Sequence, residues 1–150
     1  MALPPLMQAE LFLRVLVGAA LCGLIGLERE RRGQVAGLRT HMLVGMGAAL
    51  FTALSIHAFA QGDPARVAAQ VVTGIGFLGA GAILQRSDRR AHGLTTAAGI
   101  WFSAAIGMAA GSALYVVAAL SALLGVVVLA VLAPIGERIR PKNREDAPPA

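Results

Sequence analysis

The chain has little of what a water-soluble enzyme is built from. Only 14% of its 150 residues are charged and 5% are aromatic, and between Arg90 and Glu137 there is no Asp, Glu, Lys or Arg. Its one cysteine, Cys22, excludes an intrachain disulfide and cannot form a metal site alone, which leaves it as a small apolar packing residue. No Walker sequence, HExxH pair or serine-nucleophile motif occurs, and no soluble domain that could carry a phosphorylatable Asp is expected. ATP hydrolysis is therefore excluded, no enzyme activity is expected, and no cofactor is called for. Nor is there a carboxylate at the middle of any apolar run, where cation transporters place acids or broken-helix carbonyls.

What the chain does have is 57% hydrophobic residues and 18 glycines, arranged in long apolar runs. These extend roughly from Leu11 to Leu27, Thr40 to Ala60, Ala65 to Leu84, Leu94 to Gly111 and Ala113 to Ala133. A hydrocarbon core of about 30 Å needs about 20 helical residues, so each run is one crossing. The predicted fold is all-α: a polytopic membrane protein with five transmembrane helices. Small residues near Gly111 and Ser112 predict the break between the last two. The reading places a transmembrane domain at 1–140 and a polar, proline-rich, disordered tail (PKNREDAPPA) at 141–150.

Eleven of the thirteen basic residues fall in alternate gaps between the runs. Arg29, Arg31, Arg32 and Arg39 follow the first; Arg86, Arg89 and Arg90 follow the third; Arg138, Arg140, Lys142 and Arg144 follow the fifth. Short basic loops stay cytoplasmic, so the N-terminus is expected outside and the C-terminus inside. A cleaved signal peptide fits less well, because Glu10 precedes Arg14 and the cationic cluster follows the first apolar run. The net charge of +5 then belongs to helix ends beside anionic lipid. Membrane lipids are the expected partner, and nucleic acid is not.

Small residues suggest how the helices pack, since lipid gives no driving force for association and close backbone approach must supply it. In the fourth run Gly99, Ser103, Gly107 and Gly111 recur every four residues, and Gly18, Cys22 and Gly26 repeat that spacing in the first. The third run reads QVVTGIGFLGAGAIL, with Gly74, Gly76, Gly79 and Gly81. Its GxGxxG is not a dinucleotide fingerprint, which needs a preceding strand and a water-accessible sheet edge. Entered through Asp63 and Pro64, a good N-cap and first-turn pair, the run is expected to be either a densely packed central helix or a locally unwound one lining a cavity.

Ionisable and polar groups in spans are costly and point to function. They form two expected layers. Near the inner face lie Glu28, Arg39, Thr40, His41, Gln85, Thr95 and Thr96; near the outer face lie Glu10, Arg14, His57, Arg66 and Gln70. An ion pair between Glu28 and Arg39 is feasible, the alternative being that both snorkel to headgroups. Glu10 and Arg14, four apart, can pair on one helix face, and Arg66 and Gln70 repeat the spacing. Arg14 lies deeper than Glu10 and demands an acceptor or a water path. His41, without a companion ligand, assigns no metal.

The stretches GLIGLERERRGQVAGLRTHMLVGMGAALF (Gly23 to Phe51), DPARVAAQVVTGIGFLGAGAIL (Asp63 to Leu84) and HGLTTAAGIWFSAAIGMAAG (His92 to Gly111) resemble the MgtC/SapB family of bacterial membrane proteins. Positions matching the family pattern are Glu28, Gly33, Gly37, Leu38, Arg39, Thr40, Gln70, Gly74, Gly76, Gly79, Gly81, Gly93, Leu94, Thr95, Thr96 and Trp101. The resemblance implies an inner-membrane protein of magnesium homeostasis, associated in intracellular pathogens with growth at low Mg²⁺ and virulence. One branch is associated with restraint of the proton-translocating ATP synthase through membrane contacts. Many members carry a C-terminal ACT-like domain, which is not expected in this chain. The leading expectation is action through another inner-membrane protein. The alternative is a small cation transporter or channel built as a homo-oligomer.

Overall fold

The computed structural model describes residues 3–59, 62–84 and 93–139. Gln85, the loop arginines Arg86, Arg89 and Arg90, and the tail from 141 lie outside the described residues. The described chain is all-helical: α1 (Pro5–Arg31), α2 (Leu38–His57), α3 (Pro64–Leu84), α4 (Leu94–Gly111) and α5 (Tyr115–Ile139). All five are long and apolar enough to cross a membrane.

The helix ends follow from local chemistry. Pro5 sits in the first turn of α1, where its missing N–H costs nothing. Gly33 ends that helix in the left-handed region (φ 63°), with Gly33 N–H donating to the Glu30 carbonyl and Gln34 N–H to the Arg29 carbonyl, both at 3.0 Å. Glu30 then reaches across the loop to accept the Leu38 N–H at 2.7 Å, putting a carboxylate on the positive end of α2. Asp63 Oδ1 accepts the Ala65 N–H at 2.9 Å, the cap expected for α3. The break between α4 and α5 falls at Ser112 and Ala113, as the small residues there suggested.

Helices α1, α2 and α4 pack together into the centre of the bundle, and α4 also touches α3 and α5. Glycine sets the closeness of that centre. A Cβ on Gly26 of α1 would stand 2.7 Å from Leu38 Cα, and one on Gly45 of α2 would stand 2.5 Å from Cys22 Sγ and 2.8 Å from the Gly18 carbonyl oxygen. On the other side of α2, a Cβ on Gly107 would run into the Gly45 carbonyl and one on Gly111 into the Ala49 carbonyl. Gly45 is thus held between Gly18 and Gly107, backbone against backbone on both sides.

Polarity is arranged for a lipid surround. Arg14, His41, Thr96 and Ser103 are buried, while Phe77, Val116, Leu120 and Leu124 face outward. Only 6% of the apolar window of α3 is buried, against 50% in α1 and in α4. α3 is a continuous helix, so it is not locally unwound. Nor is it densely packed: Gly74, Gly76 and Gly81 have open space where a Cβ would go, and only Gly79 meets a neighbour, Ala97, at 3.6 Å. The dense-packing expectation failed because α4 already offers its glycine stripe to α2, leaving α3 on its flank.

Candidate functional site

The polar residues gather at the two ends of the α1, α2 and α4 centre. At the outer end, Arg14 projects from α1 into the bundle with 7% of its surface exposed. Its guanidinium makes an ion pair with Glu10 at 2.5 Å, one helical turn earlier. It also lies 3.0 Å from His57 Nε2 at the end of α2 and donates to the Gly111 carbonyl at 3.1 Å at the end of α4. An arginine cannot accept, so in this contact the histidine nitrogen is the acceptor. One side chain therefore ties three helices, and it satisfies a last-turn carbonyl of α4 that has no partner within its own helix.

Of the residues expected in this layer, Glu10, Arg14 and His57 meet. Arg66 and Gln70 do not join them, because both lie on α3, which flanks the bundle rather than closing it. Both are exposed. Gln70 instead lines an apolar groove of about 480 Å³ between α2 and α3, with Phe51, Val67 and Gly74 among its walls.

The inner layer divides by direction. His41 and Thr96 turn inward and are buried, whereas Arg39 and Thr95 turn outward and are exposed, and Thr40 is half-buried. Glu28 pairs with Arg29 at 2.5 Å on its own helix and with Arg32, the residue that caps that helix, and not with Arg39. Pairing with Arg32 is local, one turn away on an already formed helix, so it needs no loop closure. Glu30 is the acid that bridges to the start of α2. Thr96 Oγ1 lies 3.4 Å from Gln34 Oε1, a contact from α4 to the α1–α2 loop that was not anticipated.

Between the two ends runs the α4 stripe. Gly99 faces the His41 ring, with a Cβ there 3.6 Å from Nε2, and the Ser103 carbonyl accepts from the Cys22 thiol at 3.2 Å. Neither ring nitrogen of His41 nor the Ser103 hydroxyl has a hydrogen-bond partner among the described residues. No cluster of three or more His, Cys, Asp or Glu side chains that could hold a metal occurs among the described residues. Gly45 and Arg29, both buried here, were not singled out from sequence. Gly45 could have been found from its place in VGMGAAL, opposite the Gly18 spacing.

Comparison with known proteins gives a consistent picture. A profile of the MgtC family matches residues 15–138. YhiD of Escherichia coli (strain K12), which is named as a candidate magnesium transporter, is 48% identical over 145 residues, covering 91% of this chain and 67% of its own length. Protein MgtC of Brucella abortus (strain 2308) is 47% identical over 121 residues, covering 80% of this chain and 50% of its own. The uncharacterized protein slr0014 of Synechocystis is 41% identical over 126 residues, covering 84% of this chain and 53% of its own. The chain thus spans between half and two thirds of the length of these relatives. No solved structure matches it.

Proposed function

This chain belongs to the MgtC family, and from that premise we propose that it serves magnesium homeostasis in the bacterial inner membrane without being an enzyme, by binding another membrane protein through α3. It is a multi-pass membrane protein. In this reading the arginine-bearing connections are cytoplasmic, with the N-terminus outside and the C-terminus inside, as the positive-inside rule favours.

The observation that carries the reading is the contrast between two sets of glycines. At the centre of the bundle Gly18 and Gly26 of α1, Gly45 of α2, and Gly107 and Gly111 of α4 are met by neighbouring backbone, which leaves no room there for a side chain. Those of α3 at positions 74, 76 and 81 face open space. Glycine exposed to lipid gains nothing from packing and weakens the helix by about 1 kcal/mol relative to Ala. A close helix partner would give these positions a use.

Photo-crosslinking tests the reading. A benzophenone side chain at position 76 or 81, irradiated in native membranes, should attach to a different integral membrane protein, and the same group at Val116 on α5 should not. Gly76→Leu should remove both that contact and growth at low magnesium while the protein still folds. Recovery of self-adducts alone would contradict the proposal.

The name carried by YhiD favours a second reading. In it, copies of the chain assemble with their α3 glycine faces inward, and the inner polar layer around Arg39 forms the mouth of a cation path. Self-adducts from positions 76 and 81 would be its signature.

A further inference from the structure

A second groove, apart from α3 and independent of the function proposed above, runs between α1 and α5. It holds about 500 Å³ and is lined by Leu24 and Leu27 on α1, by Ala119, Leu123, Val126 and Ala130 on α5, and at one end by Glu28, Arg31 and Arg32. The groove lies beside the seam where Ala118, Ala122 and Gly125 of α5 pack against Ile25 of α1 and Phe102 of α4. The small side chains of Ala119 and Ala130 leave the flank hollow.

The dimensions of the groove select its occupant. From Ala119 to Ala130 the helix rises about 16 Å, which matches one leaflet of a hydrocarbon core about 30 Å thick. A partner span crossing the whole core would need twice that length. A single acyl chain fits it.

The charged end of the groove fits an anionic headgroup. Arg32 is fixed there, paired with Glu28 and donating to the Ala130 carbonyl at 2.9 Å, so it bridges the two helices at the mouth. The Glu28 carboxylate is shared between Arg29 and Arg32. Arg31 is exposed and is in no ion pair among the described residues, so its charge is unspent. Arg31 and Arg32 with one carboxylate, Glu28, at the mouth leave a positive surplus there, and basic pockets between spans bind anionic headgroups.

We propose that the α1–α5 groove is a binding site for one anionic phospholipid, its phosphate on Arg31 and Arg32 and one acyl chain between Leu27 and Leu123. The site adds a specific lipid ligand to the chain beside the α1–α5 seam.

Native mass spectrometry of the purified chain in mild detergent tests this, with palmitoyl-oleoyl phosphatidylglycerol and the phosphatidylcholine of the same acyl chains as probes. The first adduct should favour phosphatidylglycerol. Arg31→Gln should weaken that adduct about fivefold, the effect of one near-surface arginine, and leave phosphatidylcholine unchanged. Ala119→Phe, which fills the channel from an exposed position, should remove the first adduct of both lipids, while outward-facing Leu120→Phe should keep it. Equal retention of the two lipids by the wild type, or an unchanged adduct in Arg31→Gln, overturns the proposal even if Ala119→Phe fails to fold. A protein dimer that Ala119→Phe splits, with the lipid count unchanged, would assign the groove to a second copy and overturn it as well. None of these outcomes bears on the α3 contact.

Discussion

The backbone carbonyl of Gly45 on α2 occupies the place that a side chain on Gly107 of α4 would need. The same residue meets Gly18 and Cys22 of α1 on its other side, so three helices share one point of backbone contact at the centre of the bundle. Association in lipid depends on such packing, because the apolar tails outside are as good a solvent as a leucine.

Substitution at that point should be severe. Gly107→Ala must displace the Gly45 carbonyl or Ala48, whose Cβ would lie 2.9 Å away, and overpacking of this kind costs about 1–3 kcal/mol. Gly107→Leu should yield no folded protein in detergent. Leu124→Ala, at a side chain that faces outward, should move the melting temperature little. Equal melting of Gly107→Leu and Leu124→Ala would show that the Gly107 face meets lipid.

The glycines of α3 should behave oppositely. Gly76→Leu and Gly81→Leu place side chains in open space, so the isolated chain should melt no lower than the wild type and gain up to about 1 kcal/mol from helix propensity at each site. Any loss should appear only in native membranes, where the partner is present. A large drop in the purified monomer would mean that α3 is packed more tightly than described here.

This contrast marks what was legible in the sequence. Helix number, the turn at Ser112, the Asp63 cap and the α4 stripe all follow from hydropathy and local chemistry. The meeting of Glu10 with Arg14 also follows, since it is a one-turn relationship. The α3 glycines could not be read in the same way, because their spacing is the same whether or not a neighbour covers them, and coverage depends on which helix reaches α4 first. The partner of Glu28 could not be read for a related reason: the distant Arg39 was feasible, but the nearer Arg29 and Arg32 took the carboxylate.

Arg14 should act as a fastener of the outer end. Arg14→Met keeps the apolar stem but leaves the Gly111 carbonyl and His57 without their donor, at about 1–3 kcal/mol for a buried unsatisfied acceptor. Glu10→Gln should cost less, because that carboxylate stands in an exposed position and its pairing is screened. Thermal melts of both variants in one detergent check the order; a larger loss for Glu10→Gln would contradict it.

The turn between α4 and α5 offers a stabilising change. Ala113 adopts φ 61°, with its N–H on the Ala110 carbonyl at 3.0 Å and the Leu114 N–H on the Ala109 carbonyl at 2.9 Å. This is the helix-ending geometry that favours glycine, and a non-glycine residue there is strained. Ala113→Gly should stabilise by about 0.5–1 kcal/mol after the added freedom of the unfolded chain is offset. Ala113→Val should destabilise, seen as opposite shifts in melting temperature.

The central claim is that a bundle closed by Gly18, Gly45 and Gly107 acts by contact and does not itself conduct. Purified chain reconstituted into liposomes that hold a Mg²⁺ indicator measures this directly. The account predicts Mg²⁺ entry no greater than in protein-free liposomes and no greater than with Arg39→Ala. Saturable entry that Arg39→Ala and Gly76→Leu both abolish would contradict it and establish the path along α3.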